Sequence, residues 1–442
     1  MTRAVATTER RPMGLPGKPG LICLVSLVLV ALTLRVGASW WWQHRLGDQP
    51  FAFGDSDSYW HLARDLAHGE PYAYGTRLRV FRAPGYPLLL APLFWLADTP
   101  PVLLARCLNS VLGVAAVLLC IPLTRQLLRD EPELSAAPCW SGWIATLYPG
   151  AIAMSVFVLS EAPFAPCLLW QLYCHQRLMA GGGSRWALMV GAVGGLAVLI
   201  RPSWLLFTPG VALLELLRSR LSARTWLHCA LMGVAMCLVM SPWWIRNYRV
   251  TGRFVPTTLQ IGASLMDGWS PQADGSSNMD FVDREAALFK EEYRREGRDM
   301  ADFEVRFNQR LRDKAVAWAR EHPGEAARLG AVKFARMWSP WPDSKKFGGA
   351  KMKLIVACGY VPLAALIVTG MWRLRRSWRT WALALPALYL TSLHVVFVSS
   401  IRYRQPAMLA LAPVAAVGWV TLLRHLRGGQ RPTPSERDGG PA

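Results

Sequence analysis

The sequence predicts an all-α, polytopic transmembrane helical bundle, and three observations carry that expectation. First, 52% of the 442 residues are apolar and 21 are tryptophan, the composition of a membrane protein whose aromatics collect at the two interfaces. Second, ten apolar segments approach the ~20 residues that an α-helix needs to cross the hydrocarbon. Third, the arginines fall in short clusters between those segments instead of in one stripe. This last pattern assigns the net charge of +20 to membrane orientation and argues against a groove that tracks nucleic-acid phosphates.

The elements follow in order. Arg3, Arg10, Arg11 and Lys18 precede an apolar run that ends with Arg35 and then Trp40, Trp41 and Trp42. No small-residue cleavage site follows, so residues 21–42 read as a retained first span rather than a signal peptide. Further spans are expected at 101–123, 137–156, 159–176, 186–201, 203–217, 225–244, 353–371, 379–398 and 405–423. The fifth and sixth are short and joined by Pro202. Another apolar stretch, 86–97, contains Pro87 and Pro92 and is too short to cross, which suits an interfacial or re-entrant segment.

Charge parity tests this count. With residues 1–20 in the cytoplasm and 86–97 not spanning, the inner loops hold Arg125 and Arg129, then Arg177 and Arg185, then Arg218, Arg220 and Arg224. Arg373, Arg375, Arg376 and Arg379 follow, and finally Arg424, Arg427 and Arg431. Each short inner loop is basic, as the positive-inside rule requires; a spanning 86–97 would put all of them outside. The chain then divides into a membrane module over 21–244, with a first outer loop at 43–100, and an extracytoplasmic segment at 245–352. Spaced apolar residues in that segment (Phe281, Leu288, Tyr293; Phe303, Phe307, Leu311; Leu329, Val332, Met337) predict a small helical domain, with a helix break at His322-Pro323-Gly324. C-terminal helices occupy 353–423, and 424–442 is a cytoplasmic tail whose Gly/Pro/Ser-rich end reads as disordered.

The nine cysteines lie in or beside apolar segments without a CxxC pair, so they read as small buried hydrophobes. His61, His68, His228 and His394 have no ligand spacing. The informative polar residues are those that the topology gathers at the outer ends of the spans. They are Asp55, Asp57 and Tyr59 after the first span, Arg82 in the first outer loop, and Glu161 between the third and fourth spans. Arg201 ends the fifth span, Arg246 and Asn247 end the seventh, and Arg402 and Tyr403 join the ninth to the tenth. Ionisable groups at membrane depth are costly and mark function by default. Blander roles exist for some: an aspartate can cap the helix that starts near Tyr59, Arg246 and Arg402 can snorkel, and Tyr403 can be an interfacial belt residue. An unpaired Glu161 between apolar runs would be expensive.

The stretches GDSDSYWHLARDLAHGEPY, FRAPGYPLLLAPLF, LYPGAIAMSVFVLSEAPF, AVLIRPSWLL, MSPWWIRNYRVTG and SIRYRQPAMLALAPVAAVG, in that order, resemble the GT-C superfamily of integral-membrane glycosyltransferases. The resemblance is to the branch of protein O-mannosyltransferases and lipid A aminoarabinose transferases. It implies an inverting transfer of a sugar from a polyprenyl-phosphate donor to a lipid, glycan or protein acceptor on the outer face. By the same resemblance Asp55 or Asp57 would be the catalytic base, and Glu161 an acidic residue that arranges the site. Arg82 matches the family's phosphate-binding basic residue, with Arg201, Arg246 and Arg402 as further cationic partners; Tyr59, Asn247 and Tyr403 would contact donor or acceptor. The Asp55-Ser56-Asp57 spacing departs from the adjacent acids of many O-mannosyltransferases and is similar to the Asp-x-Asp of metal-binding glycosyltransferases, which leaves a divalent metal on Asp55 and Asp57 open. A transporter or flippase of lipid-linked sugars is the rival reading, but internal repeats and midplane charges, its usual marks, are not evident. A bacterial plasma membrane, with the site on the extracytoplasmic face, is the expected location.

Overall fold

The protein, a computed structural model, is described over residues 18–75, 78–297, 302–342 and 349–428. Arg3, Arg10, Arg11, Arg431 and the end of the tail lie outside those residues. Among the described residues every regular element is a helix. α1 (Lys18–Leu46) is followed by α2 (Gly54–His68), by the short pair α3 (Gly85–Leu90) and α4 (Pro92–Leu96), and by α5 (Val102–Leu127). Next come α6 (Ala137–Leu147), α7 (Pro149–Val156), α8 (Glu161–Met179), α9 (Ser184–Ile200), α10 (Phe207–Arg218) and α11 (Ala223–Thr251). A cap is formed by α12 (Ile261–Gly268), α13 (Asp280–Arg295), α14 (Phe303–Glu321) and α15 (Pro323–Trp338). The chain closes with α16 (Ala350–Arg373), α17 (Trp378–Val396), α18 (Gln405–Ala410) and α19 (Ala412–Gly428).

Each apolar segment expected to span is helical, and α1, α5, α11 and α16 are long and apolar enough to cross a membrane by length and composition. The sixth starts in a 3-10 turn at Pro202–Trp204 before α10, and two further segments break in their interior where continuous helices were expected. The third breaks at Tyr148-Pro149 into α6 and α7. Pro149 has no N–H, so Ala145 C=O loses its helical partner, and Arg35 Nη2 from α1 donates to that carbonyl at 3.2 Å. A second donor of this fully buried arginine, Nη1, takes Ala31 O at 3.1 Å, so two of its three nitrogens are satisfied by carbonyls inside an apolar helix bundle. The last segment divides at Leu411 into α18 and α19.

The stretch 86–97 is the helix pair α3–α4. Tyr86, Leu90 and Phe94 are buried against Tyr59 and Ala63 of α2, while Leu88, Trp95 and Leu96 are exposed. Twelve residues of helix reach only about 18 Å, well short of the ~30 Å hydrocarbon core. The pair therefore lies along the bundle with one apolar face outward.

Small residues let the long helices approach closely. Gly191 and Gly195, one turn apart on α9, meet the carbonyls of Met232 and Met236 on α11, and Gly370 of α16 meets Val414 O of α19. A side chain at any of these points would push two backbones apart, which is why such seams in membrane bundles are built from Gly. The main core gathers α5, α8, α18 and α19, with Leu123, Phe164, Leu168, Met408 and Val417 all buried. In the cap, Leu265 and Met266 of α12 pack on Leu311 and Ala315 of α14, and α14 ends at Glu321 where Pro323 starts α15.

Candidate active site

Five segments far apart in sequence bring their charged side chains together at the end of the bundle that faces the cap. The first is the start of α2. Phe53 occupies the N-cap position with no side-chain cap, so Asp55 and Asp57 sit inside the first turn rather than capping it. Residues two apart on an α-helix point to opposite sides, and the two aspartates part accordingly. Asp55 Oδ1 accepts from Arg82 Nη2 at 2.6 Å and its Oδ2 from Arg402 Nη2 at 3.2 Å. Asp57 faces away, where Tyr74 OH donates to Oδ2 at 3.0 Å and His61 Nδ1 stands 3.3 Å from the same oxygen.

Arg82 comes from the loop between α2 and α3. Its Nε donates to Ser58 Oγ at 3.0 Å and Nη1 to Gln260 Oε1 at 2.9 Å, and its guanidinium lies over the rings of Tyr59 and Phe81. The loop is held from both sides. Arg246 Nη2 and Nη1 donate to Tyr72 O at 2.8 Å and Arg79 O at 2.7 Å, while the Glu304 carboxylate accepts from Arg79 N at 2.9 Å and Val80 N at 3.1 Å. Tyr72 OH donates to Arg82 O at 3.1 Å. At the entry to α3, Gly85 presses on the end of α9: a Cβ there would lie 2.7 Å from Leu199 O.

Glu161 opens α8 and Arg201 closes α9. Pro202 disfavours a helical conformation at Arg201, whose φ of −137° and ψ of 99° are extended, so its side chain leaves the helix toward α8. Arg201 Nη1 pairs with Glu161 Oε1 at 3.1 Å, and Arg402 Nε pairs with the same oxygen at 2.9 Å. Arg402, from the loop between α17 and α18, therefore bridges Asp55 and Glu161. Its guanidinium lies over Phe53 and Tyr403, and Tyr403 also carries Arg201 over its ring and stacks on His394 with ring centroids 4.1 Å apart.

Three guanidiniums thus meet two carboxylates, leaving one positive charge in excess. Burial by itself would raise the Asp55 carboxyl, but Arg82 and Arg402 outweigh it and hold the group well below the ordinary carboxylate range. Burial likewise disfavours charged Arg82 and Arg402, and their acidic neighbours reverse that and raise both. The Glu161 side chain is 3% exposed and the Asp55 side chain 34%, so the cluster opens to solvent on the Asp55 side.

The structure therefore brings together Asp55, Tyr59, Arg82, Glu161, Arg201, Arg402 and Tyr403. Arg246 and Asn247 stand apart from the cluster. Arg246 holds the Arg82 loop, and the buried Asn247 donates Nδ2 to Val255 O at 3.1 Å, tying the end of α11 to the start of the cap. Sequence reasoning gave no role to Ser58, Gln260, Phe53 or His394, nor to Ser160, whose Oγ accepts from Arg201 Nη1 at 3.4 Å. Ser58 and Ser160 adjoin residues it singled out; Gln260 carries no signal at all. A cation held jointly by Asp55 and Asp57 does not fit, because one carboxylate is taken by two arginines and the other points to the opposite side of α2. Among the described residues, no three His, Cys, Asp or Glu side chains gather as metal ligands.

No family model and no curated protein matches the chain. Solved structures do. The oligosaccharyltransferase AglB from Archaeoglobus fulgidus, solved with an inhibitory peptide and a dolichol-phosphate, matches 94% of this chain and 52% of its own at 15% identity and a TM-score of 0.53. The apo form of the Archaeoglobus fulgidus oligosaccharyltransferase matches 92% of this chain and 51% of its own, at 15% identity and a TM-score of 0.55. ArnT from Cupriavidus metallidurans, bound to undecaprenyl phosphate, is a looser likeness, covering 95% of this chain and 82% of its own at 14% identity and a TM-score of 0.45. The chain spans about half the length of the archaeal enzymes. The likeness runs over nearly the whole of this chain and is one of fold: the chain shares the helical membrane fold of the archaeal oligosaccharyltransferase structures.

Proposed function

We propose that the protein is an inverting glycosyltransferase that moves a sugar from a polyprenyl-phosphate-linked donor to an acceptor hydroxyl at the extracytoplasmic face of the plasma membrane. The observation that carries this reading is Arg402 bridging Asp55 and Glu161, with Arg82 and Arg201 on the outer flanks of the two acids. The cluster combines the two groups that a single displacement needs: a carboxylate to take a proton, and cations to receive a departing phosphate. A sugar phosphodiester carries one negative charge, which matches the one cationic charge in excess.

The two roles are coupled. While Arg82 and Arg402 hold Asp55, its carboxylate is a poor base. A lipid phosphate entering from the exposed side competes for those guanidiniums, whose forked donors suit phosphate oxygens. Asp55 is then released to accept the acceptor's hydroxyl proton as that oxygen attacks the anomeric carbon. The bond from that carbon to the phosphate oxygen breaks, its electron pair goes to the phosphate, and the arginines stabilise the new charge. One displacement inverts the anomeric centre without a covalent intermediate. Glu161 keeps Arg201 and Arg402 in register when Asp55 lets go, and Tyr59 and Tyr403 offer rings beside the guanidiniums on which donor or acceptor can rest.

The direct test supplies membranes containing the protein with a polyprenyl-phosphate sugar and follows donor loss together with covalent product. Wild type consumes donor and Asp55→Asn does not. Equal consumption by the two, or flux of intact donor across proteoliposomes with no product, overturns the reading.

A further inference from the structure

Lys333 lies in α15 with its side chain fully buried. Its Nζ donates to Gly268 O and Val396 O, both at 2.8 Å. These are the last residues of α12 and α17, whose final carbonyls have no partner within their own helices. One ammonium thus closes two helix C-termini, the ends at which the helix dipole favours a cation. The Asp267 carboxylate, one residue before the end of α12, instead accepts from Ser277 Oγ at 2.8 Å and Asn278 N at 2.9 Å.

The end of α17 leads directly into residues 397–404, the loop that carries Arg402. The far end of this loop returns to the same cap helix. Arg404, also fully buried, donates Nη1 to Met337 O at 2.6 Å and to Ser339 O at 2.8 Å, where α15 runs out. Midway, Ser399 N donates to Gly275 O at 3.2 Å, again a cap residue. Both ends of the Arg402 loop are therefore anchored on α15, yet the paired acids and arginines of the cluster all come from other elements. Neither anchor is needed for the loop to exist, since its ends are already joined by α17 and α18; each decides where the loop stands.

We propose that Lys333 and Arg404 are positioning residues: through them α15 sets the reach of Arg402 between Asp55 and Glu161, so that the cap governs capture of the lipid phosphate. The proposal rests on the glycosyl-transfer reading. It says that a helix outside the membrane bundle controls the site by holding a loop, with no contact to substrate.

The test is a double-substitution cycle on the full-length protein in detergent, titrated with a polyprenyl phosphate and read by the shift in melting temperature. Lys333→Met should weaken binding by roughly tenfold, and in the Arg402→Gln background by less than about twofold, because Lys333 acts through Arg402 and the two effects cannot then add. Lys333→Arg should restore most of the loss. A role in folding alone would lower affinity equally in both backgrounds, and that additive result, or wild-type affinity in Lys333→Met, overturns the proposal. If Lys333→Met does not fold, Arg404→Lys carries the same cycle with the same criteria. A wild-type protein that binds no polyprenyl phosphate refutes the glycosyl-transfer reading itself, and the positioning role falls with it.

Discussion

Asp55 and Asp57 look equivalent in a list of residues and are opposite in the molecule, because a helix turns roughly 200° over two positions. Asp55 meets two arginines; Asp57 meets Tyr74 and His61. Asp55→Asn should therefore lower turnover by about 10²–10⁴-fold, the usual contribution of a general base, whereas Asp57→Asn should cost less than about tenfold; initial rates of donor consumption decide between them. Glu304 gives a pH prediction. Burial raises its carboxyl from 4.5 to about 7. The folded state then holds a proton that the unfolded state has released, so stability is highest below about 4.5 and falls as pH rises through 7. Melting followed from pH 4 to pH 8 should show wild type losing roughly 2–3 kcal/mol over that interval relative to Glu304→Gln. An identical pH profile for the two proteins would refute the assignment.

At the scale of elements, the loop before α3 has one backbone bridge of its own among its described residues, Tyr74 to Leu78, and is otherwise positioned by side chains from elsewhere. Arg246 gives donors to two of its carbonyls, and Glu304 gives acceptors to two of its amides. Arg246→Ala leaves those carbonyls without charged donors, a loss of about 2 kcal/mol, and should make the backbone beside Tyr72 and Arg79 the first site of limited proteolysis. Affinity for polyprenyl phosphate should fall with it, since Arg82 loses its support. Unchanged cleavage would mean that the loop is held some other way. The apolar periods, the Pro323 break and the short 86–97 helices were all legible in sequence, because each is set by local pattern and prolines. The break at Pro149 was not read, although the proline was visible, because its consequence is satisfied by Arg35 from another helix.

At the scale of the whole molecule, the charge-parity topology places residue 98 and the inner arginines on opposite sides of the membrane. In a chain cleared of its nine cysteines, single cysteines introduced at Asp98 and at Arg376 should react with an impermeant thiol reagent from opposite faces. Labelling from one face would overturn the orientation and the extracytoplasmic placement of the site. The cap stands on the same end of the bundle as the charged cluster, through Lys333, Arg404 and Glu304, so one orientation applies to both.

The sequence by itself determined the helical class, the segments that become helices, and the polar residues worth watching, because hydrophobic period, charge bias and proline act over a few turns. It also supplied most of the cluster, since a charge beside an apolar run stands out whatever its partners. Only the tertiary structure decided how those charges divide. Which aspartate meets the arginines follows from the facing of α2 against loops some 30 and 350 positions away, and the withdrawal of Arg246 and Asn247 into scaffolding follows from where α11 ends. Pairing of buried charges depends on ångström distances between distant segments, and those are settled by packing, which no local pattern encodes.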